Sequence, residues 1–406
     1  MQQFRTLGEA QTFVSSTIDM PIAASTEFVR PGMRLTKSSV NMADNTFTNS
    51  YDLAFNCNDL QPEIIAFDKL TTTYDFISNA GLRRYIAATS GGFFYLADQA
   101  SGSPRQLALN LSISCGSLRS LPVLDRESVL VGHNSLEVRT LAALGSLSIN
   151  GYELDWSGSL TDYDTELKVY GNGNVVINHQ QDPITGSSRV LDESSRYTPI
   201  IGTDDMIDVG FIGRGGNNFI GASASRTGGV DIFAHDFVLR CPQRYVKGNS
   251  ELEIHTIGGI ALSRFEGGAF SAGPTVNTVD FHNHPINRDL SLGNHPPFLD
   301  TRLARTLLYK TEDDLTHIRL YDGRHGSSIF AGVTPAEAVS HIMSESGVEW
   351  GCFLDPGQTA KLCISSSAQQ TRSYGNRHYM RWPSETNPDF LWIPETGCPV
   401  ANVIAL

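Results

Sequence analysis

The sequence predicts an α+β fold that is dominated by mixed and antiparallel β-sheets and contains few helices. Short apolar runs separated by glycine and turn residues recur along nearly the whole chain, which is typical of β-strands. Helix signals are few. The 406 residues are 40% hydrophobic and only 18% charged, so the chain has ample material for a large buried core. The clearest strand patterns are LKVYG, NVVIN, MIDVGFIG, VDIFAHDFVL, LEIHTIGGIAL and THIRLYDG.

One segment, TPAEAVSHIMSESG, carries a full set of helix signals. Thr334 can cap the N-terminus, Pro335 suits the first turn, and Glu337 completes a capping box. Gly347 supplies the stop. The expected apolar stripe consists of Val339, Ile342 and Met343. A strand, a sharp loop and another strand follow in VEWGCFLDPGQTAKLCI, and DLQPEIIAFDKL near residue 60 is a weaker helix candidate.

Composition limits the partners and the organisation of the chain. The net charge of −13 argues against nucleic acid or an anionic membrane as the main partner. The N-terminal MQQFRTLGEAQTF lacks the charged start and apolar run of a secretory signal, so we expect a cytoplasmic protein. With no linker or repeat, residues 1–406 predict one elaborated domain, on which 1–79 pack as N-terminal strands and a helix. A homo-oligomer is left open.

The commonest catalytic motifs are absent from the sequence. It contains no GxSxG, P-loop, HExxH or helix-opening GxGxxG, and its six cysteines show no CxxC spacing. These absences argue against the usual serine hydrolases, kinases, metalloproteases, dinucleotide-binding enzymes and zinc ribbons.

The stretch AATSGGFFYLAD places two glycines inside a strand-like run. A glycine pair in such a run indicates either a bulge beneath a packed aromatic cluster or a close approach to another group. In the second case the glycines let the chain approach a ligand, and the phenylalanines pack beneath it or stack on a ring.

Stretches taken in order along the chain resemble the phosphodiester glycosidase family, whose best-known member removes a capping N-acetylglucosamine to uncover mannose 6-phosphate. SGGFF is similar to the family's Asn-Gly-Gly-Phe-Phe, and FLDPGQT to its Leu-Asp-Gly-Gly-Gly-Ser. The resemblance runs from about residue 80 to the end. Its carriers are SGGFF (90–94), DFVLRCP (236–242), GGAFSAGPTV (267–276), ARTLLY (304–309) with DG (322–323), FLDPGQT (353–359) and CPVANVIAL (398–406).

The resemblance implies a phosphodiester-glycosidase-like fold and a substrate pocket lined by these segments. The chain departs from the family at Ser90, where the family has asparagine, and in the loop after Asp355. Pro356 removes one N–H donor there, so the substrate need not be the family's usual sugar phosphodiester. The predicted substrate-binding residues are Ser90, Gly91, Gly92, Phe93, Arg126, Gly273, Arg302, Thr306, Gly357, Gln358 and Thr359.

Asp355 and Arg305 are the main catalytic candidates. Asp355 ends an apolar strand in a tight loop, where it could serve as general acid or base, stabilise charge at a sugar C1, or simply form the turn. Arg305 interrupts an apolar strand and must bind either an anionic ligand or an internal aspartate. Arg302 lies three residues earlier. Glycoside cleavage usually requires a second carboxylate, and the spacing of the sequence does not decide between Glu266, Asp280 and Asp322.

VDFHNHPINRDLSLGNHPP contains the last candidates, which the family resemblance does not supply. His282 and His284 would share one face of an extended segment, with His295 after a turn. Proton transfer, metal ligation and a structural pair are the alternatives. Asp125 and Arg126 form either a local ion pair or part of the site.

The favoured hypothesis is a glycosidase-like hydrolase that cleaves a sugar-1-phosphodiester-type bond in a sugar- or nucleotide-containing metabolite, as in bacterial specialised metabolism. The expected partner is a small molecule with a sugar and an anionic group. No cofactor is predicted, and a divalent metal is left open. A lyase, cyclase or transferase on the same scaffold and a non-catalytic sugar-phosphate binder are the alternatives.

Overall fold

The computed structural model describes most of the chain, and the statements below concern these parts. They are residues 2–4, 20–80, 84–94, 108–133, 135–180, 188–289, 298–323, 327–345, 347–365, 370–375, 380–381, 390–392 and 396–406. Within them the fold is mostly β, with several antiparallel sheets and few helices, as the sequence predicts. None of the described helices is long and apolar enough to cross a membrane.

Six antiparallel strands form the largest open sheet of the described residues, sheet I. They are β2 (Ser25–Arg30), β3 (Met33–Asn41), β4 (Phe47–Phe55), β23 (Arg305–Thr311), β24 (Thr316–Asp322) and β25 (Val348–Phe353). Their order is β2-β3-β4-β24-β23-β25, so pairing of β4 with β24 joins the N-terminal hairpins to strands late in the chain.

Sheet II contains five antiparallel strands in the order β27-β26-β6-β30-β5. They are β5 (Glu63–Thr72), β6 (Ala87–Ser90), β26 (Leu362–Ser365), β27 (Thr371–Tyr374) and β30 (Pro399–Ala405). β5 corrects the weak helix prediction near residue 60. Its β-branched and aromatic residues pair with β30 along the sheet, and this tertiary pairing outweighs the local helix signal.

Sheet III contains five antiparallel strands in the order β10-β9-β22-β7-β8. They are β7 (Ser112–Ser114), β8 (Ser117–Ser120), β9 (Arg126–Gly132), β10 (Ser135–Leu141) and β22 (Gly268–Ser271). A small sheet joins β1 (Gln2–Phe4) and β28 (Met380–Arg381) to β29 (Phe390–Trp392).

A closed seven-stranded barrel fills the middle of the chain, a feature that the sequence does not predict. Its strands are β11 (Leu144–Ile149), β12 (Tyr152–Gly158), β13 (Leu167–Tyr170), β16 (Met206–Gly215), β17 (Asn218–Ser225), β18 (Phe237–Pro242) and β19 (Glu251–Ile254). β12 and β13 are parallel, and the other pairs are antiparallel. Two hairpins remain, β14 (Ile177–Gln180) with β15 (Ser188–Leu191) and β20 (Thr256–Ile257) with β21 (Ile260–Ala261).

Three α-helices and five short 3-10 helices complete the described structure. The α-helices are α1 (Thr73–Ala80), α2 (Pro285–Asp289) and α3 (Pro335–Glu345). The 3-10 helices span Asn172–Asn174, Ile232–Ala234, Gln243–Tyr245, Leu262–Arg264 and Gly357–Thr359. The predicted capping box begins α3, because Thr334 Oγ1 accepts from the Glu337 N–H and Glu337 Oε2 accepts from the Thr334 N–H.

The main core lies between sheets I, II and III. Leu308 of sheet I, Ile404 of sheet II and Val129 of sheet III belong to one buried cluster. The barrel interior forms a second cluster that includes Leu130, so β9 contributes neighbouring residues to both cores. α3 packs on the other face of sheet I.

The apolar side of α3 differs in detail from the predicted stripe. Ile342 is fully buried, whereas the adjacent Met343 is 44% exposed. Ala338 replaces Met343 as the buried partner of Ile342.

Substituting these neighbours tests which face of α3 packs on sheet I. We expect Ile342→Ala to lower the free energy of unfolding by about 2–5 kcal/mol, because it removes a buried side chain. Met343→Ala, the matched control, should change it by about 0.5 kcal/mol or less. Urea denaturation measures both. Equal losses would contradict the described packing.

Candidate functional site

Strand ends from all three sheets meet in one region, which we call the junction. It comprises residues 90–93, 126–127, 271–274, 304–306 and 353–359. The N–H of Asp355 donates to the Gly91 carbonyl over 3.0 Å. The N–H of Gly357 donates to the Ala304 carbonyl over 2.7 Å. These bonds join the ends of β25, β6 and β23, so the structure brings Gly92, Gly357 and Arg305 to the same region.

The end of β22 closes the junction on its second side. Gly273 donates its N–H to the Phe353 carbonyl over 2.9 Å, and Ala272 donates to the Glu127 carbonyl over 2.8 Å. Glu127, at the start of β9, is therefore attached to the same region as Asp355.

The glycine pair after β6 is explained by close approach of protein groups. β6 ends at Ser90, so the glycines follow the strand instead of forming a bulge within it. A Cβ atom on Gly91 would lie 2.0 Å from Asn402 Oδ1, and one on Gly92 would lie 2.3 Å from the Ser271 carbonyl. Both positions therefore require glycine.

Buried polar atoms flank these glycines. Asn402 Oδ1 accepts from the Gly92 N–H over 2.8 Å, so Asn402 Nδ2 is the remaining donor of that amide. Asn402 Nδ2, Ser90 Oγ and Thr306 Oγ1 have no hydrogen-bond partner among the described residues, and all three side chains are at most 1% exposed. Buried polar groups normally find partners, so this arrangement favours a region built for polar ligands or ordered solvent.

Glu127 and His284 form a hydrogen-bonded pair beside Gly273. The two side chains are 15% and 13% exposed, and His284 Nε2 lies 3.0 Å from Glu127 Oε1. The Ile286 N–H donates to His284 Nδ1 over 3.3 Å. Nδ1 therefore accepts, and the Nε2 proton of the neutral ring is donated to the carboxylate. His284 thus positions Glu127 by donating a hydrogen bond to it, and neither ring nitrogen is left free to accept a proton.

The hydrogen bond from His284 keeps Glu127 ionised. Burial alone would raise the pKa of Glu127, but the His284 hydrogen bond, the backbone N–H of Glu127 and the positive charge of Arg126 together hold this pKa below its usual range. Gly273 is required beside it, because its φ is +116° and a Cβ there would lie 2.8 Å from Glu127 Oε2. Sequence reasoning missed Glu127, although the signal exists: a carboxylate opens the apolar strand ESVLVG.

Phe93 and Arg126 line the adjoining part of the junction. The Arg126 guanidinium carbon lies 6.0 Å from the centroid of the Phe93 ring, and Phe298 packs edge-on at 6.2 Å from the same ring. Both Phe93 and Arg126 are buried. The carboxylate of Asp125 accepts hydrogen bonds from the Ala143 N–H and the Tyr163 hydroxyl. These contacts are its main ones, in place of the expected local ion pair with Arg126.

Arg305 lies at the junction, but its donors are directed at the protein's own backbone. Nε donates to the Val333 carbonyl, and Nη2 donates to the carbonyls of Phe298 and Thr301. The side chain is 1% exposed, and this burial lowers the pKa of Arg305 to about 9 despite the charge of Glu337. The geometry corrects the expected role as an anion ligand: Arg305 anchors the chain at 298–301.

Arg302 is likewise committed to internal partners. Its guanidinium donates to the carboxylates of Glu337 and Asp44 and to the Thr46 hydroxyl. The expected substrate contact by Arg302 is therefore replaced by a bridge between the start of α3 and the loop before β4.

Two polar groups of the DPGQT loop that were expected to bind substrate are hydrogen-bonded within the protein. The Gly357 N–H is bound to Ala304, and the Thr359 hydroxyl donates to the carbonyls of Asp355 and Pro356. Gly357 has a φ of +77° with open space where a Cβ would stand, so the turn itself explains this glycine. Gln358 is exposed and Asp355 is partly exposed.

The remaining candidates separate from one another. His282 is 65% exposed and pairs with Asp300, so it does not share a partner or a face with His284. The hydrogen bond and charge of Asp300 raise the pKa of His282. His295 lies outside the described residues. In the described parts of the chain, no group of three or more His, Cys, Asp and Glu side chains could hold a metal ion.

Each of the three carboxylates that the sequence left open has hydrogen bonds or surroundings of its own, and Asp322 lies at the end of β24 next to Arg305 on β23. Asp280 is exposed and binds the N–H and side-chain amide of Asn283 ahead of α2. Asp322 is buried and accepts from the Gly323 N–H. Glu266 is exposed next to the turn at Gly116. Glu127 is joined to the end of β25 through the hydrogen bonds of Ala272 and Gly273.

Comparison with known proteins gives similarity in structure alone. No family model matches the sequence, and no curated protein is similar to it. A hypothetical protein from Synechocystis is similar with a TM-score of 0.56 and 14% identity, covering 95% of this chain and 63% of that one. The chain thus spans under two thirds of that protein's length.

Two further structures are similar at lower scores. A candidate exported protein from Burkholderia pseudomallei gives a TM-score of 0.51 with 13% identity, covering 89% of this chain and 74% of that one. The catalytic domain of zebrafish N-acetylglucosamine-1-phosphodiester α-N-acetylglucosaminidase, auto-inhibited by its pro-peptide, gives 0.44 with 10% identity, covering 95% and 88%. The first two show a shared fold, and the third is too dissimilar to support an argument.

Glu127→Gln tests the hydrogen-bonded pair of Glu127 and His284 through the pH dependence of the free energy of unfolding. The pKa of Glu127 is lowered on folding, so its stabilising effect is present above the unfolded pKa and is lost as pH falls through the folded one. We expect the free energy of unfolding of the variant to be about 1 kcal/mol lower at pH 7, because a charge-assisted hydrogen bond becomes a neutral one. The difference should shrink below about pH 4.5. Urea titrations at several pH values measure it. His284→Gln should weaken the same pH dependence, because the backbone N–H of Glu127 and the charge of Arg126 remain. A pH-independent difference would contradict the pairing.

Arg305→Lys tests the anchoring role without any ligand. A lysine cannot reach all three carbonyls, and a buried acceptor left without a donor costs about 1–3 kcal/mol. We therefore expect a loss of about 2 kcal/mol in the free energy of unfolding. Arg264→Lys, at an exposed arginine, is the control. If Arg305→Lys leaves the free energy of unfolding unchanged, the anchoring role is wrong and Arg305 is again a candidate for ligand binding.

Proposed function

We propose that this protein is an enzyme of the phosphodiester glycosidase type, with the junction as its active site. The reaction is hydrolysis of the bond between a sugar C1 and the oxygen that carries a phosphoryl group in a small anionic metabolite. One observation carries the proposal: Asp355 and the Glu127–His284 pair are held on the same set of strand ends. Glycoside cleavage commonly uses two carboxylates on either side of the scissile bond.

Each carboxylate has a distinct role in this proposal. Asp355 donates a proton to the leaving oxygen as the bond from that oxygen to C1 breaks. Glu127, which His284 helps to keep ionised, accepts a proton from the water whose oxygen bonds to C1. One water is consumed, and both carboxyl groups return to their starting states when a proton passes from Glu127 back to Asp355 through solvent.

Binding of the substrate uses the groups that the fold leaves at the junction. The buried ring of Phe93 packs beneath the sugar or base, and the guanidinium of Arg126 lies beside that ring. Gln358 supplies an exposed amide at the loop. Ser90, Thr306 and Asn402 meet substrate hydroxyl groups with their buried polar atoms. Arg305 and Arg302 support the junction through the backbone carbonyls and carboxylates that they bind.

The substrate class and location belong to the proposal as well. The order of the sequence stretches that resemble the phosphodiester glycosidase family supports a sugar-1-phosphodiester or a sugar nucleotide. The altered DPGQT loop, with its Gly357 N–H already bound, supports an anion held by side chains instead of backbone amides. A cytoplasmic metabolite stays the preferred substrate.

Turnover of a panel of sugar-1-phosphodiesters and sugar nucleotides tests the proposal. We expect Asp355→Asn and Glu127→Gln each to lower kcat by about 100-fold or more, since each removes a proton-transfer group. Asp155→Asn, at an exposed carboxylate on the barrel strand β12, is the control and should keep kcat. Release of the free sugar, measured by chromatography and mass spectrometry, reports the reaction.

The outcomes separate this proposal from its alternatives. Hydrolysis in ¹⁸O-labelled water places the label on the sugar C1 oxygen, whereas a lyase or transferase leaves the sugar unlabelled. Thermal stabilisation by panel compounds that persists in Asp355→Asn, with no turnover of any of them, would indicate a binding protein. Unchanged turnover in either carboxylate variant removes that residue from the mechanism.

A further inference from the structure

A serine and a histidine that are not junction residues meet on the barrel. Ser223 is exposed on β17, and its Oγ lies 2.8 Å from Nε2 of the buried His235. His235 Nδ1 lies 2.8 Å from the backbone carbonyl oxygen of Asp231. A carbonyl oxygen can only accept, so Nδ1 carries the proton of the neutral ring. Nε2 therefore presents a lone pair, and the Ser223 hydroxyl donates to it.

The backbone around the two side chains is adapted to this contact. A Cβ atom on Gly210 would lie 2.3 Å from the His235 ring, so only glycine leaves room for the imidazole there. A register shift between the Gly210–Ser223 and Phe211–Gly221 pairs leaves Ala222 as an extra residue. Such a bulge redirects neighbouring side chains, and bulges are frequent beside active sites.

Asp231, whose carbonyl fixes the ring, is itself held in place. Its carboxylate accepts from the Phe233 N–H over 3.0 Å, which caps the 3-10 helix that leads to His235. The same carboxylate binds Arg196 through Nε and Nη2 at 3.0 and 2.6 Å. The imidazole is therefore preorganised by a chain of contacts that does not involve Ser223.

We propose that Ser223 and His235 form a second reactive site, in which Ser223 is a nucleophile and His235 its general base. The substrate class is acyl esters. Oγ bonds to the carbonyl carbon as its proton moves to Nε2, and the ester C–O bond then breaks as that proton passes to the leaving alkoxide. Water cleaves the acyl-serine by the same steps in reverse order. This site is independent of the proposed glycosidase.

A fluorophosphonate probe tests the nucleophile directly. Oγ bonds to phosphorus, the P–F bond breaks, and the serine proton leaves with the fluoride. We expect one adduct per chain in the intact mass, mapped to Ser223 by peptide sequencing. Ser223→Ala should abolish this adduct, and His235→Gln should slow it by about 100-fold or more, since general-base assistance is lost.

Ser225→Ala is the matched control, because Ser225 lies two residues along the same strand and its Oγ is bound to the Gly228 carbonyl. It should label at the wild-type rate. An unlabelled wild-type Ser223, or an unchanged rate in His235→Gln, would show a purely structural hydrogen bond. If His235→Gln does not fold, native and urea-unfolded wild-type protein are compared. Equal labelling in both states overturns the proposal, because an activated serine requires the fold.

Discussion

The arrangement of the junction follows from one constraint: strands that end inside a protein leave backbone donors and acceptors that must be paired. β6, β22 and β25 end there and β23 begins there, and the backbone groups beyond these strands satisfy one another through bonds such as Asp355 N–H to Gly91 O. Such short reciprocal contacts leave no space for a Cβ atom at Gly91 or Gly92. The backbone of Asp355 and that of Glu127 are therefore both held at this place by hydrogen bonds to neighbouring strand ends.

Three arginines attach α3 to sheet I and to the segments beside it. Arg302 binds Glu337 in the first turn of the helix, and Arg305 holds the Val333 carbonyl just before it. Arg319 links Asp52 on β4 to Glu345 at the helix end. A buried cation needs partners wherever it stands, and three carbonyls or a carboxylate meet that need as well as a phosphate does. An arginine within an apolar strand is therefore weak evidence for an anionic ligand.

Local features of the fold could be predicted, and long-range ones could not. The α3 cap and the strands at 305–311, 316–322 and 399–405 carry their signals in consecutive residues. β5 was mistaken for a helix because its pairing with β30 is invisible in its own sequence. Barrel closure depends on β11 meeting β19, about a hundred residues away, and no local pattern encodes it. The site followed the same rule: Asp355 ends a readable strand, whereas Glu127 becomes a candidate only once Gly273 and His284 are seen beside it.

The two histidines with defined tautomers show why contacts, and not residue types, decide chemistry. In His284 a backbone N–H occupies Nδ1, so the ring is left with a proton to give and supports a carboxylate. In His235 a backbone carbonyl occupies Nδ1, so the ring is left with a lone pair and faces a hydroxyl. The sequence offered His284, together with His282, for proton transfer, metal ligation or a structural pair, and it gave no signal at His235. Both tautomers depend on one backbone atom, the Ile286 N–H after His284 and the Asp231 carbonyl before His235. Reversing either backbone contact would exchange the two roles, which makes the turns at 281–286 and 231–235 the determinants of what each histidine can do.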